Sequence, residues 1–160
     1  MRRILVAVDG TQASREAART ALEYAGGLCS QVTFVHVLPE RVAEEAGEAP
    51  EFAAFERACE QYAEELLKET CAGTASRPWK TNTLIAHGEP AAVLSTLAAD
   101  EDVDLVIVGA RARGSFARTL LGSVSGELMC RCPKPVLVVP ERAAFGGVQP
   151  ARGGSEPPVC

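Results

Sequence analysis

Aromatic residues are scarce in this chain: five Phe, two Tyr and one Trp make up 5% of 160 residues. That excludes the aromatic platform on which single-stranded nucleic acid stacks its bases. Positive charge is also in deficit, with 16 Lys and Arg against 21 Asp and Glu. The net charge of -5 and a pI near 5.1 have the wrong sign for a nucleic-acid backbone or an anionic membrane surface. No apolar run approaches the roughly 20 residues that span a bilayer. The first of them, Ile4 to Val8, is closed by Asp9 after five residues, short of the about 7–15 of a secretory h-region. It reads as a first strand, and the expected location is cytoplasmic. Only two histidines are present, His36 and His87. No helical ligand pair is available, so no metal site is expected. His36 lies within a strand pattern and reads as a packed, hydrogen-bonded imidazole, whereas His87 falls in a surface turn.

What remains is ordinary globular material, 47% hydrophobic and 23% charged, of a size for one domain with a single good core. Six cysteines without an export signal read as reduced, structural thiols rather than a disulfide framework. On a continuous helix Cys130 and Cys132 would leave on faces about 200° apart, unable to share a metal. Cys59 and Cys71 would stand roughly 18 Å apart along one helix, too far to pair. Cys160 is the thiol expected to be exposed.

Strand and helix signals alternate along the chain. The aliphatic run Ile4–Val8 is followed by a turn and N-cap at Asp9-Gly10-Thr11. Ala13, Ala17, Ala18, Ala21, Leu22, Ala25 and Leu28 then recur at helical spacing, with Gly26-Gly27 marking the end region. A second strand covers Val32–Val37, and an acidic loop runs from Pro39 to Pro50. Phe52, Phe55, Cys59, Tyr62 and Leu66 predict the inner face of a second helix ending near Gly73. A third strand follows over Lys80–Ala86, and the turn His87-Gly88-Glu89-Pro90 leads into a helix carrying Val93, Leu94 and Leu97. The fourth strand is Leu105–Val108, the fourth helix begins near Ser123, and Val136–Val139, set between prolines, is the fifth strand. Beyond it, residues 141–160 read as a flexible C-terminal tail. Such alternation predicts a single-domain α/β fold, a five-stranded parallel sheet with helices on both faces.

The functional signal lies after the fourth strand. Gly109-Ala-Arg-Ala112, nine further residues and Gly122-Ser123-Val124 form a glycine-marked loop between a strand and a helix start. Glycine allows close backbone approach to an anion, and the free N–H groups of the helix start point toward it. Arg111 and Arg113 add positive charge of a kind suited to phosphate. If the first and fourth strands are neighbours, their loops share one crevice at the carboxyl edge of the sheet.

Ile4-Leu-Val-Ala-Val-Asp-Gly-Thr11, Val35-His-Val37, the Gly88-Glu-Pro-Ala91 turn, Gly109-x-x-Ala112-x9-Gly122-Ser123 and Cys132-Pro-Lys-Pro-Val-Leu-Val-Val139 together resemble the universal stress protein family. The resemblance spans about residues 2–140. It implies a domain over 1–140 of the Rossmann-like, adenine nucleotide alpha hydrolase-like type, commonly dimeric through the fifth strand. It also implies a regulatory, ATP-binding protein of the stress response, with magnesium as a possible companion of the nucleotide. Carried over, it sets Asp9 at the ribose and Ala7 and Val37 around the adenine. Val108, Gly109, Ala112, Gly122, Ser123 and Val124 would surround ribose and phosphates, with Arg111 beside them.

Ala112 departs from the family's ATP-binding pattern, which has glycine there. If that backbone needs positive φ, alanine costs about 1–2 kcal/mol, a roughly tenfold to thirtyfold loss of affinity. A nucleotide-free adaptor of the same fold is therefore the alternative. Dedicated catalysis is not expected, because no lysine follows the glycine loop in the Walker pattern and no base has a positioned partner. Slow incidental ATP hydrolysis is the most that this pattern allows. The aliphatic edge Val136–Val139 is the expected homodimer contact.

Overall fold

The computed structural model describes residues 3–28, 31–40, 50–72, 79–110 and 122–141. Among them the order is β1 (Arg3–Ala7), α1 (Gln12–Leu28), β2 (Gln31–Leu38), α2 (Pro50–Cys71), β3 (Lys80–His87), α3 (Pro90–Ala98), β4 (Val103–Ala110), α4 (Ser123–Arg131) and β5 (Val136–Pro140). All strand pairs are parallel, and the sheet order is β3-β2-β1-β4-β5. The chain therefore builds outward from β1 to β3, crosses back, and builds outward again from β4 to β5.

The period of two along each strand divides the core between the faces. Ile4, Val6 and Val8 pack with Phe34, Ile107 and the buried faces of α1 and α2. Leu5, Val35, Val106 and Val108 pack on the other side with Leu94 of α3 and Leu128 of α4. The central strands are buried on both faces, as continuous aliphatic runs require.

Helix α1 lies close to the sheet because its inner face is almost entirely alanine: Ala13, Ala17, Ala18, Ala21 and Ala25 are all buried. Gly109 of β4 is matched to it. A Cβ at Gly109 would overlap the Ala13 carbonyl group and come within 2.7 Å of Ser14 N. Thr11 caps α1, its hydroxyl oxygen accepting the Ser14 N–H at 3.2 Å.

Two expectations are corrected. The predicted inner face of α2 is only partly inner: Ala63, Leu66 and Leu67 are buried, but Phe55 is 66% and Tyr62 52% exposed. The cause is length. Twenty-two helical residues reach about 33 Å, whereas the eight of β2 reach about 26 Å. The N-terminal turns of α2 thus run past the carboxyl edge of the sheet. The second correction concerns Cys132, which is the extended C-cap of α4 (φ -68°, ψ 129°) and not a helical residue. The helical angle to Cys130 therefore does not apply, although both thiols are free. Strand β4 also begins at Val103, two residues before the aliphatic run that announced it.

Candidate functional site

β1 pairs with β2 on one side and with β4 on the other, so the direction in which the sheet is built outward reverses between β1 and β4. The helices that follow these two strands, α1 and α4, lie on opposite faces of the sheet, and a crevice opens beyond the strand ends. It holds a cleft of about 490 Å³.

Eight of the ten residues singled out from the sequence line this one cleft: Ala7, Asp9, Val37, Val108, Gly109, Gly122, Ser123 and Val124. The other two, Arg111 and Ala112, lie outside the described residues, as do Arg113, Cys160, most of the acidic loop and residues 142–160. Thr11, Ser14, His36, Pro90, Leu94 and Ser125 line the cleft too. Their sequence signal was positional: each flanks a strand end or helix start that the pattern had already marked.

The turn after β1 is closely tied together. Asp9 Oδ1 accepts the Thr11 N–H at 3.0 Å and the Thr11 hydroxyl at 2.6 Å. Ser14 Oγ accepts the Asp9 N–H at 3.3 Å and donates to the Thr11 carbonyl at 3.0 Å. Gly10 stands at φ 80°, a conformation that favours glycine. The result is an exposed carboxylate held on a fixed turn. On the apolar side, half-buried Ala7 and Val37 offer a smooth wall beside buried Leu94 and Val108. His36 is 8% exposed, and its Nδ1 lies 2.6 Å from the Val8 carbonyl oxygen. A carbonyl only accepts, so Nδ1 carries the proton. The packed, hydrogen-bonded imidazole read from the sequence is what the structure shows.

Three helix starts border the cleft, and they differ. The α1 start is capped by Thr11. At α3, the Glu89 carboxylate accepts the Ala91 and Ala92 N–H groups at 3.0 and 2.7 Å. At α4 the N-cap is Gly122, with no side-chain cap among the described residues. Its first N–H groups are the ones left to meet a ligand, and the positive end of the helix dipole favours an anion. The Gly122 backbone does not itself demand glycine, with φ at -59°, and among the described residues a Cβ would meet only Ser125 Oγ, at 3.7 Å. No group of three His, Cys, Asp or Glu side chains with metal-holding geometry occurs among the described residues. No described helix is long and apolar enough to cross a membrane.

Comparison with known proteins gives one answer. The profile of the universal stress protein family matches residues 1–140. A universal stress protein of Thermus aquaticus is 32% identical over 136 residues, covering 85% of this chain and 96% of its own. Among solved structures, the universal stress protein UspA of Lactobacillus plantarum superposes with a TM-score of 0.74 at 22% identity, over 86% of this chain and 97% of its own. A family member from Arabidopsis thaliana, solved with AMP bound, superposes at 0.66 with 19% identity, over 89% of this chain and 94% of its own.

Proposed function

This chain belongs to the universal stress protein family, and from that premise we propose that it binds an adenine nucleotide, ATP, in the cleft between β1 and β4 and acts as a regulatory switch of the stress response. The observation that carries this reading is the pairing of a fixed carboxylate with an uncapped helix start across one cleft. The first suits ribose hydroxyls and the second suits phosphate. The wall of Ala7 and Val37 suits a flat, apolar base, with strand-end backbone available to read its edge. The AMP bound to the Arabidopsis relative supports the nucleotide class. Arg111 and Ser123 are assigned to the phosphates, and magnesium enters only as the ion that accompanies a triphosphate.

The same groups support switching rather than dedicated catalysis. Asp9 Oδ1 accepts two hydrogen bonds from Thr11 within its turn, and His36 Nδ1 is bound to the Val8 carbonyl, which supports structural roles for both. Slow turnover of bound ATP is compatible with this reading. The half-buried edge strand β5 is assigned to a homodimer. The second reading, a nucleotide-free adaptor, rests on Ala112 standing where the family pattern has glycine.

Titrating ATP, ADP and AMP into the full chain, with Asp9→Ala and Gly122→Ala alongside, separates the two. Micromolar binding that both variants weaken supports the nucleotide reading, whereas no binding at millimolar ATP leaves the adaptor. An equally tight ATP complex in both variants would move the site elsewhere.

A further inference from the structure

The turn that carries Asp9 is held from behind by two side chains on other elements. Tyr62 of α2 is half exposed, yet its hydroxyl rests on Gly10, where an added Cβ would land on that oxygen. Its ring meets the buried His36 ring edge-on, with centroids 6.1 Å apart and planes at 73°, an arrangement aromatic pairs prefer. His36 in turn donates from Nδ1 to the Val8 carbonyl at 2.6 Å. The Val8-Asp9-Gly10 segment is therefore gripped at both ends, by a hydrogen bond to Val8 and by contact on Gly10, through one aromatic pair. Gly10 is needed twice over: its φ of 80° favours glycine, and the Tyr62 hydroxyl occupies the space a side chain would take.

We infer that Tyr62 and His36 are positioning residues that fix the Asp9 carboxylate for its ligand and tie α2 to the cleft. This rests on the assignment of Asp9 to ribose in the nucleotide reading. Tyr62 acts on Asp9 through the turn, by its contacts on Gly10 and His36, so its removal acts on what Asp9 recognises rather than on the whole ligand. Leu66 of α2 also faces Gly10, its side chain 3.7 Å from where a Cβ would stand.

Two measurements test the inference, one of them without ligand. In the ligand-free full chain, amide exchange at Thr11, whose N–H is bound by Asp9, is compared with exchange at Ala91 and Ala92, bound by Glu89. Tyr62→Ala is expected to speed exchange at Thr11 and leave Ala91 and Ala92 unchanged. Tyr24→Ala, which removes an exposed ring elsewhere, is expected to change none of the three. In binding, Tyr62→Ala is expected to weaken ATP roughly tenfold, within the coupling range of residues sharing one network. It should also collapse the preference for ATP over 2′-deoxy-ATP, and cost nothing further in an Asp9→Ala background.

His36→Asn, which keeps an N–H donor near the position of Nδ1 but loses the ring that meets Tyr62, is expected to recover part of the affinity, while His36→Leu repeats the full Tyr62→Ala loss. Unchanged exchange at Thr11 would overturn the inference, and so would equal losses for ATP and 2′-deoxy-ATP. If the parent chain binds no nucleotide, the nucleotide reading alone fails, and exchange at Thr11 still decides whether Tyr62 holds the turn.

Discussion

Two glycines of the same sequence motif have opposite reasons to be glycine. Gly109 has a structural one: the backbone of α1 fills the space where its side chain would be. Gly109→Ala is expected to push α1 off the sheet and destabilise the fold by about 1–3 kcal/mol, as overpacking does, visible as a lower melting temperature. Gly122 has no such constraint among the described residues, so Gly122→Ala is expected to melt with the parent and to lose nucleotide affinity. The sequence showed both as motif glycines and gave no way to tell them apart, because the neighbour of Gly109 is Ala13, far away along the chain. Asp100 supplies the pH dependence at this scale. Its carboxylate accepts the Asp102 N–H at 3.0 Å and pairs with Arg3 at 3.1 Å. The Asp102 N–H above all, with the charges of Arg3 and Lys134, holds its pKa below the usual carboxylate range. The stability this gives is complete above the ordinary carboxylate pKa and is lost as pH falls through the lowered native value. Asp100→Asn is therefore expected to flatten the acid limb of the melting temperature against pH. The pair is exposed, so the difference is small.

Among the elements, the central strands were legible because buried parallel strands are short aliphatic runs with turns at their ends, as Ile4–Val8 is, and half-buried β5 was marked by the prolines that bound its aliphatic run. Helix α1 was legible from its alanine spacing. Helix α2 was misread at Phe55 and Tyr62 because periodicity reports an apolar face and not what lies opposite it. Among the described side chains of α2, only Ala63, Leu66 and Leu67 are buried. Helix α3 was marked by its Gly88-Glu89-Pro90 start, and its cap is a carboxylate on two backbone N–H groups. Glu89→Ala is expected to cost about 0.5–2 kcal/mol, measured by chemical denaturation. Strand β5 carries the dimer proposal. The Pro135 carbonyl accepts the Val106 N–H, and the Glu141 N–H donates to the Ala110 carbonyl. In a parallel ladder, this alternation turns the backbone groups of Val136 and Val138 away from β4. Val138→Pro removes one outward donor without touching the β4 ladder. It is expected to leave a folded monomer where the parent sediments as a dimer.

For the molecule as a whole, what the sequence could not supply was adjacency. The motifs at Asp9 and at Gly109–Gly122 are about a hundred residues apart, and only the strand order β3-β2-β1-β4-β5 brings them to one cleft. Local pattern fixes where strands start and stop; their order is decided by long-range packing, as in the division of Ile4 and Leu5 between two cores. The family resemblance filled that gap, and the residues it named that are described do share the cleft. The role of those residues toward a ligand is the central claim, and isothermal titration of ATP into the full chain, with Gly122→Ala beside it, tests it most directly. The account predicts micromolar binding to the parent, weakened by at least roughly tenfold, or about 1.4 kcal/mol, in a variant that melts at the same temperature. No binding at millimolar ATP, or binding that Gly122→Ala leaves untouched, would contradict it.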